Sequence, residues 1–314
     1  MHSGDLDLDL TRIAEASNLI DPLFLDTPQF VDEQLCAALG GRVLVKIETL
    51  NPIRSFKGRG VDLLAREFTP GTRLVSTSTG NFGQALGHSA ARHGLQADVF
   101  VPAGISQVKL TRMASLGARV HEIRDRPPED AAREYAAARD DAVLVRDGQH
   151  PRIAEGAATL GVELLAAGPI DTVVLPVGDG ALITGVARWV KEHSPRTRVV
   201  GVCAAGAPAM AHSWRAGRVV PTDRADTVAE GVAVRAPIPE SVERMRLLVD
   251  EVVVVDDTAM LAAMRTALDT LGVLPEPAGA AGLAALATHD LPGAVVATAV
   301  TGANVSAWPD EVLR

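Results

Sequence analysis

The sequence has 314 residues, and its 47% hydrophobic and 22% charged residues exclude a mainly disordered chain. This length can bury a large core, either in one unit or in two domains that share an interface. The formal net charge is −9 and no long basic cluster is present, so we expect neither nucleic acid nor an anionic membrane as a partner.

Cysteine usage and the N-terminus indicate a cytoplasmic location. The two cysteines, Cys36 and Cys203, are far apart and lack metal-ligand spacing, which predicts neither a disulfide framework nor a zinc site. The first ten residues carry acid where a secretion signal carries base, and no apolar run reaches about 18 residues. We therefore expect a soluble cytoplasmic protein.

The first predicted unit is a strand followed by a helix. Residues 42–48 form an apolar strand pattern that stops at Asn51-Pro52, and a helix is predicted over 55–68, ended by Thr69-Pro70-Gly71. Lys57 then lies in the first turn of this helix.

Strands and helices alternate in the next segment, which predicts a compact four-stranded α/β subdomain. The predicted strands cover 74–78, 97–102, 118–124 and 142–146, and the predicted helices cover 81–93, 106–116 and 128–139.

The remaining strands are almost continuously apolar, as expected where helices cover both faces of a parallel sheet. Strands are predicted over 172–177, 198–204, 251–255 and 294–300, and helices over 153–167, 183–193, 240–249, 258–271 and 278–287. Residues 205–235 are irregular and predict a covering loop with short helices.

This order predicts an α/β protein with two open, mainly parallel twisted sheets flanked by helices. We expect a large domain from residues 1–72 and 148–314, with a small α/β domain, residues 73–147, inserted into it. Two glycine-containing loops follow predicted strands, and open sheets bind their ligands at that edge. A ligand site between the domains is therefore expected.

Lys57 is the candidate nucleophile. The positive end of the helix dipole and the nearby Lys46, Arg54 and Arg59 disfavour a further positive charge, and an uncharged amine can form a Schiff base with a carbonyl compound. Pyridoxal phosphate is the commonest cofactor that needs such a lysine. A solvated basic turn is the alternative for this segment alone.

Two loops could bind anions. Gly178-Asp179-Gly180-Ala181 follows a buried strand and opens a helix at Leu182, where backbone N–H groups can hold a phosphate. A dinucleotide-binding loop is a rival, but the next glycine is Gly185 and the spacing does not fit; an ordinary turn is the other alternative. Ser78-Thr79-Gly80-Asn81 also precedes a helix and suits a carboxylate, or forms a plain helix cap.

Four ordered stretches resemble one enzyme family. They are residues 45–60 around Lys57, Ser76-Thr77-Ser78-Thr79-Gly80-Asn81-Phe82-Gly83-Gln84-Ala85, Leu175-Pro176-Val177-Gly178-Asp179-Gly180-Ala181-Leu182, and Glu276-Pro277-Ala278-Gly279-Ala280 with Thr301-Gly302-Ala303-Asn304. The set resembles the tryptophan-synthase-like (fold type II) pyridoxal-phosphate enzymes, in their serine/threonine dehydratase and serine racemase branch, over about residues 25–304. This resemblance implies pyridoxal 5'-phosphate as cofactor, an amino-acid substrate and a homodimer.

The resemblance also implies roles for individual residues. Lys57 would carry the cofactor and act in catalysis with Thr79, and the substrate carboxylate would lie at Ser78, Thr79, Gly80 and Phe82. The cofactor would further contact Asn81 at its 3′-oxygen, the phosphate loop Gly178, Asp179, Gly180, Ala181 and Leu182, then Glu276, and Thr301 at its pyridine nitrogen.

Some residues depart from the family pattern. Asp179 and Ala181 interrupt what is usually a run of four glycines, and Asp179 is unfavourable beside a phosphate unless its side chain points away. Thr79 stands where serine racemases have a serine, and its extra methyl group argues against efficient racemisation. Cys203 stands where several relatives place a glutamate that helps bind a divalent cation, so we expect no metal.

The predicted reaction is the loss of water from threonine or serine, which gives a 2-oxo acid and ammonia. The Thr301 hydroxyl is too weak an acid to protonate the pyridine nitrogen, which favours β-elimination. The sequence ends soon after Asn304, and we expect no C-terminal regulatory domain of the kind found in some biosynthetic threonine dehydratases. Residues 205–235 and the Asp147-Gly148-Gln149 stretch are expected to select the substrate.

Three alternatives remain open. A threonine-synthase-like β- or γ-replacement enzyme shares the patterns around Gly178 and Ser78, but Lys57-Gly58-Arg59 lacks the aspartate typical after that family's lysine, and the Glu276 motif favours dehydratases. A racemase is the second alternative. The third is a protein that binds the cofactor without catalysis.

Overall fold

The computed structural model describes residues 6–305 and Val312. Its strands are β1 Gln29–Val31, β2 Arg42–Ile47, β3 Arg73–Thr77, β4 Gln96–Pro102, β5 Ala118–Ile123, β6 Ala142–Leu144, β7 Thr172–Pro176, β8 Arg198–Ala204, β9 Glu251–Val255 and β10 Val295–Val300. Its helices are α1 Leu10–Leu19, α2 Glu33–Leu39, α3 Lys57–Ala65, α4 Asn81–Arg92, α5 Gln107–Ser115, α6 Pro128–Ala137, α7 Pro151–Ala166, α8 Ala181–His193, α9 Ala209–Ala216, α10 Pro239–Leu248, α11 Asp257–Leu271 and α12 Pro277–Thr288.

The larger sheet has six strands in the order β1-β2-β10-β7-β8-β9. Edge strand β1 is antiparallel to β2, and the other neighbours are parallel. Val173, Val174 and Leu175 of the central strand β7 are fully buried, since helices cover both faces. The smaller sheet has the order β5-β4-β3-β6 and is parallel throughout. The predicted fold class is confirmed.

The larger sheet takes strands from both ends of the chain, and the smaller sheet takes residues 73–144. We propose that the two sheets define the two domains expected from the sequence. Residues 1–5, 306–311 and 313–314 of the expected large domain lie outside the described residues. Within the described ranges, none of the helices combines the length and the apolar character that a membrane crossing requires.

Helices α3 and α7 pack with their backbones almost in contact, which fixes the helix that begins at Lys57. A Cβ atom on Gly60 would lie 2.3 Å from the Ile153 carbonyl oxygen, and one on Gly156 would lie 2.5 Å from the Arg59 carbonyl oxygen. Only glycine allows this approach without moving a backbone. The first turn of α3 is thus held firmly against α7.

A buried ionic network anchors the same helix. The Arg59 guanidinium is fully buried and pairs with Glu48 at 2.8 Å and with Glu163 at 2.5 Å, and Lys46 also pairs with Glu163 at 2.5 Å. Buried charges persist in a protein when they are paired and hydrogen-bonded in this way. The network joins β2, α3 and α7 close to Lys57, which begins α3.

Candidate active site

A cavity of about 580 Å³ lies where strands of both sheets end. The structure brings every residue of the predicted site to its wall. These residues are Lys57, Ser78, Thr79, Gly80, Asn81, Phe82, Gly178, Asp179, Gly180, Ala181, Leu182, Glu276 and Thr301. The individual role of each residue stays a prediction, but their placement around one space is a property of the fold.

The loop before Lys57 is held by Asn51. Its side-chain oxygen accepts hydrogen bonds from the N–H groups of Ile53 and Ser55, and its side-chain nitrogen donates to the Glu48 and Ser55 carbonyls. Arg54 has φ of 51°, a left-handed conformation that is uncommon outside glycine. Such strained residues occur where the surrounding structure fixes them, often near functional sites.

The backbone also joins Lys57 to the end of β10. The N–H of Phe56 donates to the Thr301 carbonyl over 3.1 Å, and Ser55 forms an isolated β-bridge with Gly302. These contacts join parts of the chain that are about 245 positions apart. They hold Lys57 and Thr301 in the same wall of the cavity. Lys57 is the first residue of α3, as predicted.

The Lys57 amine forms an ion pair with Asp147, which follows β6, and lies 4.7 Å from the centre of the Phe56 ring. This carboxylate opposes the positive neighbours that favoured an uncharged amine, and the pairing was not predicted. Asp147 Oδ2 is the paired oxygen, and the buried Oδ1 has no hydrogen-bond partner among the described residues. From its sequence position, Asp147 is expected only to take part in substrate selection.

The glycine loop after β7 presents free backbone N–H groups. Gly180 has φ of 95°, which turns the chain into α8, and the first-turn N–H groups of Ala181 and Leu182 have no carbonyl partner within an α-helix. A Cβ on Gly178 would lie 2.5 Å from the Gly231 carbonyl oxygen, so the loop is packed tightly. This arrangement suits an anion.

The loop after β3 opens helix α4 in a similar way. The Ser78 hydroxyl accepts hydrogen bonds from the N–H groups of Gly80 and Gly83, at 3.2 and 3.0 Å. Its bond to Gly83 satisfies one N–H group of the first turn of α4, although the N-cap residue is Gly80, which has no side-chain cap. Thr79, Asn81 and Phe82 line the cavity beside it, and the first-turn N–H groups of Asn81 and Phe82 have no carbonyl partner within an α-helix.

Glu276 is buried and bound at both oxygens. Oε1 accepts a hydrogen bond from Asn81 Nδ2 at 2.6 Å, and Oε2 accepts one from the Asn304 N–H at 2.9 Å. Asn304 Nδ2 also donates to Asn81 Oδ1 at 2.8 Å. Burial raises the pKa of Glu276 to about 7.

An ion pair between Lys109 of α5 and Glu230 lies at the cavity wall, and neither residue was identified from the sequence. Glu230 belongs to the covering segment after α9. Because 121 positions separate the two residues, no local pattern could have revealed the pair.

Cys203 is buried in β8 and does not line the cavity, and burial raises the pKa of its thiol to about 12. Within residues 6–305 and Val312, no group of three His, Cys, Asp or Glu side chains could hold a metal ion.

The chain is similar to known proteins over most of its length. Residues 20–302 match the family model described as "Pyridoxal-phosphate dependent enzyme". The L-threonine ammonia-lyase of Thermotoga maritima is 31% identical over 94% of this chain and 75% of its own length. A chloroplastic biosynthetic threonine dehydratase of Arabidopsis thaliana is 32% identical over 85% of this chain, which spans only 46% of that relative.

Solved structures of similar proteins support the same family. A threonine deaminase from T.th. superposes with a TM-score of 0.90 at 30% identity, covering 96% of this chain and 100% of the other. Maize serine racemase superposes with a TM-score of 0.88 at 27% identity, covering 95% and 94%. The resemblance inferred from the four motifs is confirmed.

Proposed function

Because the chain belongs to the family of pyridoxal-phosphate-dependent enzymes, we propose that it removes water from threonine or serine and releases a 2-oxo acid and ammonia. Relatives named threonine ammonia-lyase and threonine dehydratase support this activity. The observation that carries it is the backbone hydrogen bond from Phe56, next to Lys57, to Thr301, which follows β10 and places a hydroxyl rather than a carboxylate in the same cavity as the lysine.

The residues present fit pyridoxal phosphate. The cavity of about 580 Å³ is within the range of small-molecule sites, and it has an amine at one wall and free N–H groups of α8 at another. Lys57 would hold the cofactor covalently, residues 178–182 would bind its phosphate, and Asn81 and Thr301 would contact its ring. When bound, the cofactor supplies an electron sink for the negative charge that forms at Cα of the substrate.

The chain's own residues would bind the amino acid and move its protons. The N–H groups of Asn81 and Phe82 and the Thr79 hydroxyl hold the substrate carboxylate at the positive end of α4. The Lys57 amine would accept the proton from Cα as general base. The Lys57 ammonium would then donate a proton to the departing β-hydroxyl, so that water leaves and a C=C bond forms. The enamine that is released takes up a proton at Cβ to become an imine, and hydrolysis of this imine in water gives the 2-oxo acid and ammonia.

A weakly acidic partner at the pyridine nitrogen favours this outcome. A Thr301 hydroxyl beside the pyridine nitrogen would be too weak an acid to protonate it, so the negative charge at Cα would be stabilised less than beside a carboxyl group. Rapid loss of the β-hydroxyl then competes well with the slower reprotonation that racemisation needs.

The experiment is a panel of L- and D-β-hydroxy amino acids, with the 2-oxo acid and ammonia measured and the visible spectrum recorded. We expect equal amounts of the two products from L-threonine or L-serine. A spectral change without products would overturn the proposal in favour of a replacement enzyme that needs a second substrate. Inversion without ammonia would indicate a racemase, and a spectrum that no amino acid changes would indicate a binding protein.

We also propose that the enzyme is a cytoplasmic homodimer. Phe30 and Val31 of edge strand β1 are large apolar residues with 40% and 39% of their surface exposed. Sedimentation equilibrium tests this, since a monomer at all concentrations would contradict it.

A further inference from the structure

Two carboxyl groups near Lys57 have no part in the proposed reaction. Asp147 and Asp179 both line the main cavity, and both also line a neighbouring cavity of about 270 Å³. Their backbones are packed together, because a Cβ on Gly148 would lie 2.2 Å from the Asp179 carbonyl oxygen. The Gly148 carbonyl is itself held by Ser241 and Arg244 of α10, each at 2.9 Å. The two side chains therefore project from adjoining, firmly held loops.

Charges from several elements face Asp179. Asp147 and Arg146 follow β6, Lys57 begins α3, and Glu129 of α6 forms an ion pair with Arg146 at 2.6 Å. Burial and the charge of Asp147 raise the pKa of Asp179, and Lys57 and Arg146 act in the opposite direction.

The covering segment adds two more charged side chains near Asp179. Glu230 and Arg235 both line the neighbouring cavity. Their charges are opposite in sign. Burial raises the pKa of Asp179 most, and the charge of Asp147 raises it next. The second oxygen of Asp147 is buried without a hydrogen-bond donor among the described residues.

We infer that Asp179 binds the cofactor phosphate as the neutral acid, with its carboxyl proton donated as a hydrogen bond to a phosphate oxygen. Asp147 and Asp179 line the same two cavities, and a second carboxylate beside both Asp147 and a phosphate would be strongly repelled. Asp179 removes that repulsion by taking a proton from solvent when the phosphate arrives. The inference rests on the family cofactor and does not depend on which reaction follows.

The test is the proton count of cofactor binding. Binding of pyridoxal phosphate to the apoenzyme is measured by titration calorimetry in buffers of different ionisation enthalpy, for the wild type and for Asp179→Asn. Asparagine is neutral, has the same shape and keeps a hydrogen-bond donor. Above neutral pH we expect the wild type to take up about one more proton per cofactor than the variant.

The same linkage predicts the pH dependence of affinity. Relative to Asp179→Asn, the wild-type affinity should fall by about tenfold per pH unit once Asp179 ionises in the apoenzyme. Asp147→Asn should move the start of that fall to lower pH, because it removes the negative charge that favours protonated Asp179. Asp179→Gly, which restores a glycine, should also lose the extra proton, and it keeps the test valid if the asparagine variant fails to fold.

Pyridoxal, which lacks the phosphate, is the matched ligand control. Its binding should show the same proton count in the wild type and in Asp179→Asn. An equal proton count for pyridoxal phosphate in the two proteins would overturn the inference, and so would an extra proton seen with pyridoxal. These measurements use no amino acid, so they succeed or fail independently of the proposed elimination.

Discussion

Asn81 donates a 2.6 Å hydrogen bond to Glu276 although 195 positions separate the two residues. Asn81 begins α4 beside the smaller sheet, and Glu276 precedes α12 beside the larger one. Asn304 closes the triangle with bonds to both residues. The contact therefore joins the two halves of the cavity at the place where the cofactor ring would lie.

Gly302→Ala should break this contact. A Cβ at Gly302 would lie 2.4 Å from Glu276 Oε1 and 2.9 Å from Asn81 Nδ2, so both side chains must move. We expect the free energy of unfolding to fall by about 1–3 kcal/mol and cofactor affinity to weaken. Urea unfolding and cofactor titration measure these effects. Gly41→Ala is the control, because nothing lies within 4 Å of its Cβ position, and an equal effect in both variants would contradict the expected clash.

Lys57→Ala should abolish both turnover and the visible absorbance of the bound cofactor. Lys57 supplies the covalent attachment and the general base, so we expect at least about a thousandfold loss of activity. Lys109→Ala is the matched control, since Lys109 is a second lysine of the same cavity. It should keep the visible absorbance. Retention of that absorbance in Lys57→Ala would disprove the assignment of the lysine.

The sheets were largely predictable because each strand has a recognisable local pattern of apolar residues bounded by turn residues. The apolar runs of β7, β8 and β10 are continuous, as in buried parallel strands. In the smaller sheet, turns at Gly71 and Gly94 mark the two ends of the unit formed by β3 and α4. By contrast, α1, β1 and α2 were missed. The N-caps Asp9 and Asp32 are visible signals for the two helices, but β1 has only three residues and is defined by its pairing with β2.

The residues of the site that follow strands in sequence motifs were predictable. The ion pairs between residues far apart in the sequence were not. Loops at the carboxyl ends of parallel strands converge by topology, which explains why Lys57, Asn81 and Gly178 share one cavity. The pairing of Lys57 with Asp147 depends on how two distant loops pack, and no spacing in the sequence encodes it.

Thr79→Ser should change the balance between elimination and racemisation. The methyl group of Thr79 restricts its side chain, and a serine hydroxyl at the carboxylate loop rotates more freely. We expect the wild type to release ammonia from L-serine with little D-serine, and the variant to form proportionally more D-serine. Chiral chromatography measures both products. Thr77→Ser, at the preceding strand end, is the control, and equal racemisation in the wild type and Thr79→Ser would contradict the prediction.

Arg59→Ala should be strongly destabilising. The change leaves buried Glu48 without its 2.8 Å partner and Glu163 with Lys46 alone, and removal of one member of a buried ionic network costs about 3–5 kcal/mol. Arg265→Ala is a control, because its pair with Asp269 is exposed and should contribute little to stability. Denaturant unfolding of both apoenzymes tests this, and similar losses would show that the buried network is not stabilising.

Glu276 should make the apoenzyme less stable as the pH rises. Burial raises its pKa from 4.5 to about 7, while hydrogen bonds from Asn81 and Asn304 act in the opposite direction. Because the folded state binds this proton more tightly than the unfolded state, the stabilisation is complete below pH 4.5 and is lost as the pH rises through about 7. The loss should approach about 3 kcal/mol, at about 1.36 kcal/mol per pH unit. Glu276→Gln cannot ionise, so the difference in unfolding free energy between wild type and variant should shrink, or change sign, over that range. A difference that stays constant with pH would show that folding does not shift the pKa of Glu276.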